Sequence, residues 1–216
     1  SRGKVQQLVS ENTNRPTVLV IDDNTDIRQY ERTLLQDEYI VLEAADGKEG
    51  LSVAIKEVPD LVICDVMMPV MDGLEFTEQL KTNTATSHIP VIMLTAKNLE
   101  EHRAEGYEHG ADSYITKPFH SKVLLARIEN LLRQRQLLKH LYQGSQEAEK
   151  EISESHLEDR DKQFLKQLQT IIQQNLSDSE FGVEDMGQQI GLSRVQLYRK
   201  VKAMTGSSVV DLLRKA

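Results

Sequence analysis

Leu61–Asp65 (LVICD) is the clearest indication of the fold, because four consecutive apolar residues end in a carboxylate. An unbroken apolar run of this length is typical of a strand that is buried on both faces of a parallel sheet. Similar runs at 18–21, 91–94 and 113–115 are followed by Asp22-Asp23, by Thr95 and, one residue later, by Lys117-Pro118. Ligands bind beyond the carboxyl ends of parallel strands. We therefore expect three carboxylates, a hydroxyl and an ammonium to converge at one edge of a sheet.

Strand-like and helix-like patterns alternate from residue 17 to residue 135. A fifth strand is predicted at 40–42, and the helical patterns lie at 27–35, 47–56, 74–80, 99–107 and from 121 onward. Five βα units with apolar strands predict an α/β fold, in which helices cover both faces of a parallel sheet. The crossover connections should be right-handed.

Composition restricts the class of protein. The 216 residues are 39% hydrophobic and 28% charged, which is typical of a globular protein of one or two domains. The one cysteine, Cys64, excludes an intrachain disulfide and is interpreted as a small core residue. No apolar run approaches the roughly 20 residues of a membrane-spanning helix, and no signal peptide is visible. We therefore expect no membrane contact.

The formal net charge of −8 is distributed unevenly along the chain. Residues 17–135 hold 21 acidic and 12 basic residues, which argues against nucleic-acid binding by this part. Residues 161–216 hold 6 acidic and 8 basic residues, which leaves nucleic-acid binding possible there.

The residue types after the strands suit phosphoryl transfer to a carboxylate. Such a transfer needs a hard cation, and Mg²⁺ prefers the carboxylate oxygens that Asp22, Asp23 and Asp65 offer. Lys117 and Thr95 could contact the remaining phosphoryl oxygens. One aspartate after a strand is often only a helix N-cap. Four strand ends in this order are not explained by capping.

Residues 17–135 resemble the receiver domain of two-component response regulators. The matching strings are VLVIDD at 18–23, LVICDVMMPVMDG at 61–73, VIMLTA at 91–96 and GADSYITKPF at 110–119. The resemblance implies a flavodoxin-like sheet in the order 2-1-3-4-5. It also implies a histidine kinase as phosphodonor and Asp65 as phosphoacceptor.

The same resemblance assigns roles to the other residues of the site. Asp23, Asp65 and the backbone carbonyl of Met67 would bind Mg²⁺ directly, and Asp22 would bind it through water. Thr95 and Lys117 would contact the phosphoryl group. Tyr114 takes the place of the switch aromatic residue, and Lys117-Pro118 would be a cis peptide.

The segment 186–193 (MGQQIGLS) has the character of a helix-turn-helix. Gly187 would allow two helices to cross closely, and Gly191 would make the turn. The predicted helices lie at about 164–172, 183–190 and 193–204, with a last one from 208. A recognition helix reads base edges with residues near its N-terminus. A small helical bundle with a basic, solvated face is the alternative.

The string GLSRVQLYRKVKAMTG at 191–206 resembles the first helix-turn-helix of AraC-type DNA-binding domains. That family has two such motifs joined by a long helix, and this chain stops within the joining helix. We therefore expect weak DNA binding, or none, from this chain alone. The resemblance implies base contacts by Arg194, Val195, Tyr198 and Arg199.

The chain divides into four predicted segments. These are a polar linker at 1–16, a receiver domain at 17–135, a helical connector at 136–160 and a truncated AraC-type domain at 161–216. Leu124, Leu131 and Leu138 are spaced seven apart, which permits a homodimer through the receiver and the connector helix. A single amphipathic helix packed on its own sheet explains the first half of this pattern equally well.

The leading hypothesis is a cytoplasmic, non-enzymatic response regulator in which phosphorylation of Asp65 controls a DNA-binding transcription regulator. A chain that starts without methionine could also come from a hybrid histidine kinase of the inner membrane. A Mg²⁺-dependent phosphohydrolase resembling the haloacid dehalogenases would need a second aspartate two residues after Asp65, where Met67 stands. A third possibility is an interaction module that is never phosphorylated.

Overall fold

The computed structural model describes residues 15–96, 110–144, 159–175, 178 and 181–215. Its strands are β1 Thr17–Ile21, β2 Ile40–Ala44, β3 Leu61–Asp65, β4 Val91–Ala96 and β5 Ser113–Lys117. They form one sheet in the order β2-β1-β3-β4-β5, and every neighbouring pair is parallel. The predicted α/β class and flavodoxin-like strand order are confirmed.

Helices α1 Thr25–Leu35, α2 Gly47–Glu57 and α3 Gly73–Thr82 each begin at a side-chain cap. The side chains of Asn24, Asp46 and Asp72 accept hydrogen bonds from backbone N–H groups of the first turn. These bonds satisfy donors that have no partner within the helix, and they fix where each helix starts. The helix predicted at 99–107 lies outside the described residues.

The sheet is buried on both faces, as the apolar strands predicted. One face packs on α2 and α3 through a cluster that includes Leu19, Ile21, Val62, Cys64, Phe76 and Met93. The residues between these positions point to the other face, which packs on α1 and on α4, Ser121–Gly144. This alternation of side chains follows from the pleat of each strand. Cys64 is a fully buried free thiol, as interpreted.

Helix α4 continues past residue 135, so the predicted boundary between receiver and connector falls inside one helix. Leu124 and Ile128 are fully buried in the sheet core, and Leu131 and Leu132 pack against it. The first part of the leucine stripe is therefore covered within the chain, and the side chain of Leu138 lies outside the described ones. None of the described helices is long and apolar enough to cross a membrane.

A second core lies among α5 Asp159–Gln174, α6 Val183–Ile190, α7 Arg194–Thr205 and α8 Val209–Lys215. Helices α6 and α7 are joined by a three-residue turn in which Gly191 has a φ of 79°. Only glycine adopts this conformation without strain. At Gly187 a Cβ would lie 2.7 Å from the carbonyl oxygen of Leu192, so the predicted close approach is present.

The helical unit packs against the edge of the sheet at which the strands begin. Helix α7 lies against α4, and Ala85, from the loop that leads into β4, is part of the second core. This amino edge is opposite the carboxyl edge, at which Asp22, Asp23 and Asp65 follow or end their strands. The chain therefore has two polar regions at opposite ends of one sheet.

Candidate functional site

Three carboxylates meet at the carboxyl edge because β1 and β3 are neighbours in the sheet and end side by side. One carboxylate oxygen from each of Asp22, Asp23 and Asp65 lies within 4.8 Å of the other two. Asp22 is buried, Asp65 is partly buried and Asp23 is exposed. Three like charges this close repel one another unless a cation joins them. An all-oxygen donor set with one exposed side fits a hard divalent cation.

Lys117 supplies one positive charge from the end of β5. Its ammonium donates to Asp22 Oδ2 at 2.8 Å and lies 3.2 Å from Asp65 Oδ1. Burial disfavours the charged ammonium, but the hydrogen bond to Asp22 and the charge of Asp65 outweigh burial and raise the pKa of Lys117. The ammonium therefore bridges the two carboxylates that flank the centre of the site.

Burial raises the pKa of the Asp65 carboxyl, against the lowering effect of Lys117, and the charge of Asp22 raises it further. A raised pKa means that the ionised form of the carboxyl group is destabilised relative to the protonated form. The carboxylate is then a stronger nucleophile once it is deprotonated. Added positive charge at the cluster would favour the carboxylate form.

The remaining predicted site residues lie in β4 and β5 or shortly after β3. Thr95 is buried at the end of β4, and its hydroxyl donates to the Ala96 carbonyl oxygen at 3.3 Å. Tyr114 is buried in β5. Residue 67 is a methionine that is 65% exposed, so no second acid stands at that position. The peptide bond between Lys117 and Pro118 is cis, as the resemblance implied.

Gly73 is a site residue whose role the sequence reasoning missed. Its N–H donates to the Val66 carbonyl oxygen at 2.9 Å. A Cβ at this position would lie 2.3 Å from the backbone oxygen of Asp65. The first residue of α3 therefore has to be glycine for the loop after Asp65 to fold back beneath it.

Glu31 is a second residue that the sequence reasoning missed. It lies on the buried face of α1, is fully buried, and neither carboxyl oxygen has a hydrogen-bond partner among the described residues. Burial, together with the negative charges of Asp22 and Asp65, raises its pKa from 4.5 to about 8. Its spacing of four residues from Leu35 was the signal that could have placed it in the core.

The candidate DNA-contact residues all lie on α7. Arg194, Val195 and Tyr198 are exposed. Arg199 is half-buried, because its guanidinium donates to the Lys56 carbonyl oxygen at 2.6 Å and lies 3.3 Å from the Glu57 carboxylate. The α7 helix is therefore held at the C-terminal end of α2 by one of its candidate contact residues.

Lys200 anchors the same interface and was not singled out from the sequence. Its fully buried ammonium donates to Ser87 Oγ at 2.8 Å and to Asp161 Oδ1 at 3.4 Å, and lies 4.5 Å from the ring centre of Phe164. Ser87 in turn donates to Asp161 Oδ1 at 2.9 Å. The buried charge is thus compensated by groups from both halves of the chain.

The family model for the response regulator receiver domain matches residues 18–129. Histidine kinase P4 of Formosa agariphila is 36% identical over 211 residues, which is 98% of this chain and 15% of that protein. The transcriptional regulatory protein ResD of Bacillus subtilis is 41% identical over 122 residues, covering 56% of this chain and 50% of ResD. The chain thus spans at most about half the length of these relatives.

Solved structures agree with the receiver assignment. Chemotaxis protein CheY4 of Vibrio cholerae is 38% identical, with a TM-score of 0.52 over 54% of this chain and 98% of that chain. A response regulator from Chloroflexus aurantiacus is 33% identical, with a TM-score of 0.54 over 56% of this chain and 99% of that chain. Both matches cover about the part of the chain that contains the sheet.

Proposed function

Because the chain belongs to the family of response regulator receiver domains, we propose that Asp65 accepts a phosphoryl group from a histidine kinase. An Asp65 carboxylate oxygen would attack phosphorus while the bond from phosphorus to the imidazole nitrogen breaks and the imidazole leaves. The convergence of Asp22, Asp23, Asp65 and Lys117 at one edge of the sheet carries this proposal. It makes a phosphorylation-controlled switch the function that the geometry supports best.

Asp22, Asp23, Asp65 and the Met67 carbonyl would hold Mg²⁺, with Asp22 acting through water. When bound, the metal supplies positive charge to the phosphoryl oxygens. Lys117 is already 3.2 Å from Asp65 and would exchange its contact with that oxygen for one with a phosphoryl oxygen. The Thr95 hydroxyl, which donates to the Ala96 carbonyl oxygen, would turn toward the same group. Tyr114 would respond to the movement of Thr95.

Turnover by hydrolysis is disfavoured at this site. A phosphohydrolase of the aspartyl-phosphate type uses a second carboxyl group to activate water. Met67 stands at the position where such an enzyme would carry that acid, and its side chain points outward. A phosphoryl group on Asp65 should therefore persist long enough to act as a signal.

The helix-turn-helix of α6 and α7 is proposed as the output. A complete AraC-type domain would read DNA with Arg194, Val195, Tyr198 and Arg199. In the structure Arg199 bonds the C-terminal end of α2. The docked arrangement therefore withholds one of the four contacts, and phosphorylation of Asp65 would shift the population away from docking. This would make access to α7 the controlled step.

A hybrid histidine kinase is the second candidate setting for this switch. The similarity to Histidine kinase P4 extends over 98% of the chain and therefore includes the helical unit. We propose that the kinase phosphodonor of this receiver belongs to the same polypeptide. Sequencing the gene upstream of residue 1 tests this, and an upstream region that encodes no kinase would contradict it.

Intact-mass spectrometry tests the phosphorylation proposal. The protein is incubated with Mg²⁺ and acetyl phosphate, and a gain of one phosphoryl group is expected. Asp65→Asn should gain none, excess EDTA should prevent the gain, and the exposed control Asp26→Asn should behave as wild type. An adduct on Asp65→Asn, or none on wild type, would contradict the proposal.

Hydrogen exchange on the same samples tests the docking step. Amide exchange in α7 should become faster in the phosphorylated wild type and stay unchanged in Asp65→Asn treated in the same way. Equal exchange before and after phosphorylation would show that docking of α7 is not controlled by Asp65.

A further inference from the structure

A cleft of about 570 Å³ lies where the amino edge of the sheet meets α7. Its walls come from the start of β1 and β2, the end of α2, and the facing sides of α4 and α7. The volume falls within the range of about 300–1,000 Å³ that is typical of small-molecule sites. The cleft is at the opposite end of the sheet from Asp65, so a ligand there would not belong to the phosphorylation site.

The charges that line the cleft are mostly positive, although the protein as a whole is acidic. Five cationic side chains and two carboxylates line it: Arg15, Arg135, Lys139, Arg199 and Lys202 against Glu57 and Asp60. Both carboxylates already have partners, since Glu57 pairs with Arg199 and Asp60 accepts from the Thr17 N–H at 2.8 Å. Neither of these contacts involves Lys139 or Lys202.

Two of the cations, Lys139 and Lys202, make no direct bond to a carboxylate within the described part of the chain. The Lys202 ammonium lies 5.7 Å from the ring centre of Tyr198, and neither it nor the Lys139 ammonium forms a hydrogen bond or an ion pair there. Burial lowers the pKa of Lys139, and the nearby charges of Arg135 and Lys202 lower it further, against the opposite effect of Asp60. An anion between these side chains would relieve their mutual repulsion.

The cleft also has an apolar wall with an aromatic ring. Tyr198 and Ile40 are 42% and 37% exposed, and Leu132 lies beside them. A flat ring can pack on tyrosine while charged groups extend to nearby ammonium groups.

We propose that this cleft binds a nucleotide, with its phosphates on Lys139 and Lys202 and its base against Tyr198. Such a ligand would occupy the space beside Tyr198 and Arg199 and would favour the docked position of α7.

Isothermal titration with ADP in low-salt buffer containing EDTA tests the site. EDTA removes divalent cations, so binding of the phosphates at the acidic carboxyl edge is avoided. ADP should bind wild type more tightly than either adenosine or pyrophosphate does. The double variant Lys139→Gln/Lys202→Gln should bind ADP about tenfold or more weakly, as expected when two charge-assisted hydrogen bonds are lost. Asp65→Asn should bind as wild type does, which separates this site from phosphorylation.

The matched control is Lys122→Gln/Lys166→Gln, which removes two exposed lysines that do not line the cleft and changes the net charge equally. This control should bind ADP as wild type does. Three results would overturn the proposal: no ADP binding by wild type at millimolar concentration, equal loss of affinity in the control, or unchanged affinity in Lys139→Gln/Lys202→Gln. Pyrophosphate binding as tight as ADP binding would overturn the assignment of a nucleotide.

Discussion

The two edges of the sheet handle buried charge in opposite ways. At the carboxyl edge the carboxylates of Asp22 and Asp65 share the ammonium of Lys117, and Asp23 adds a further negative charge. Among the described residues, negative charge is left in excess there. At the amino edge the buried ammonium of Lys200 is met by Asp161 and Ser87. The acidic cluster, which could hold a cation, leaves its charges uncompensated, whereas the contact between the two units compensates its buried charge.

Buried charge alone does not mark a functional site. Lys200 is more completely buried than Lys117, yet its partners satisfy it and its role is to fix α7 on the loop before β4. The carboxyl edge is recognisable because its charges do not balance. Changing one group at each edge should therefore have effects of opposite sign on stability.

The largest expected change in the free energy of unfolding is at the amino edge. Asp161→Ala leaves the Lys200 ammonium buried without its carboxylate, which should lower the free energy of unfolding by about 3–5 kcal/mol. Chemical denaturation followed by circular dichroism measures this. The double variant Asp161→Ala/Lys200→Met removes both charges and should recover most of the loss. If the double variant is as unstable as Asp161→Ala, the ion pair is not what holds the interface.

At the carboxyl edge a substitution is expected to raise the free energy of unfolding instead of lowering it. Glu31 has a folded pKa of about 8 against 4.5 when unperturbed, so the folded protein keeps a proton that the unfolded chain loses. Stability is therefore lost as pH rises through this window, by roughly 3 kcal/mol at pH 7, since one pKa unit is about 1.36 kcal/mol. Glu31→Leu should be more stable than wild type by about that amount at neutral pH.

Denaturation midpoints between pH 5 and pH 8 check the assignment to Glu31. The wild type should weaken across the window, while both Glu31→Leu and the nearly isosteric Glu31→Gln should lose this part of the pH dependence. A slope that survives in both variants would assign the titration to another group.

The smallest of the three expected changes in stability concerns the close approach of Gly73 to the backbone of Asp65. Gly73→Ala places a methyl group against the Asp65 carbonyl oxygen, and relief of the overlap should cost about 1–3 kcal/mol. It should also slow formation of the phosphoryl adduct, because the Asp65 loop has to shift. Gly182→Ala is the matched control, since its Cβ would meet only a side-chain oxygen at 3.7 Å. Equal stability of the two variants would contradict the argument for Gly73.

Much of the carboxyl edge could be predicted from the sequence, because its residues end or follow apolar strands. The order of these strands was implied by the resemblance to receiver domains. Asp22, Asp23, Asp65 and Lys117 are brought together as expected. Glu31 was missed because a charged residue on a helix is normally assigned to the solvent face. Gly73 was missed because its role is a contact with the backbone of Asp65, and sequence shows turn preference but not the distance between two backbones.

The amino edge could not be predicted in the same way. Ser87, Asp161 and Lys200 are far apart in the sequence and share no motif, so their meeting depends on how the helical unit packs on the sheet. Helix periodicity is consistent with the core positions of Met186, Leu197 and Val201, because each helix must bury one face. It could not tell that Arg199 would face α2 rather than solvent.

The α/β class and the gathering of carboxylates at one edge follow from the sequence alone, because strand periodicity and the residues after each strand are local properties. The strand order follows from the resemblance to receiver domains. How the two units meet, which lysine is buried between them and which cations line the cleft are properties of the tertiary structure. These features depend on contacts between residues distant in the chain, and the free energy of such contacts is set by burial and charge compensation rather than by local sequence.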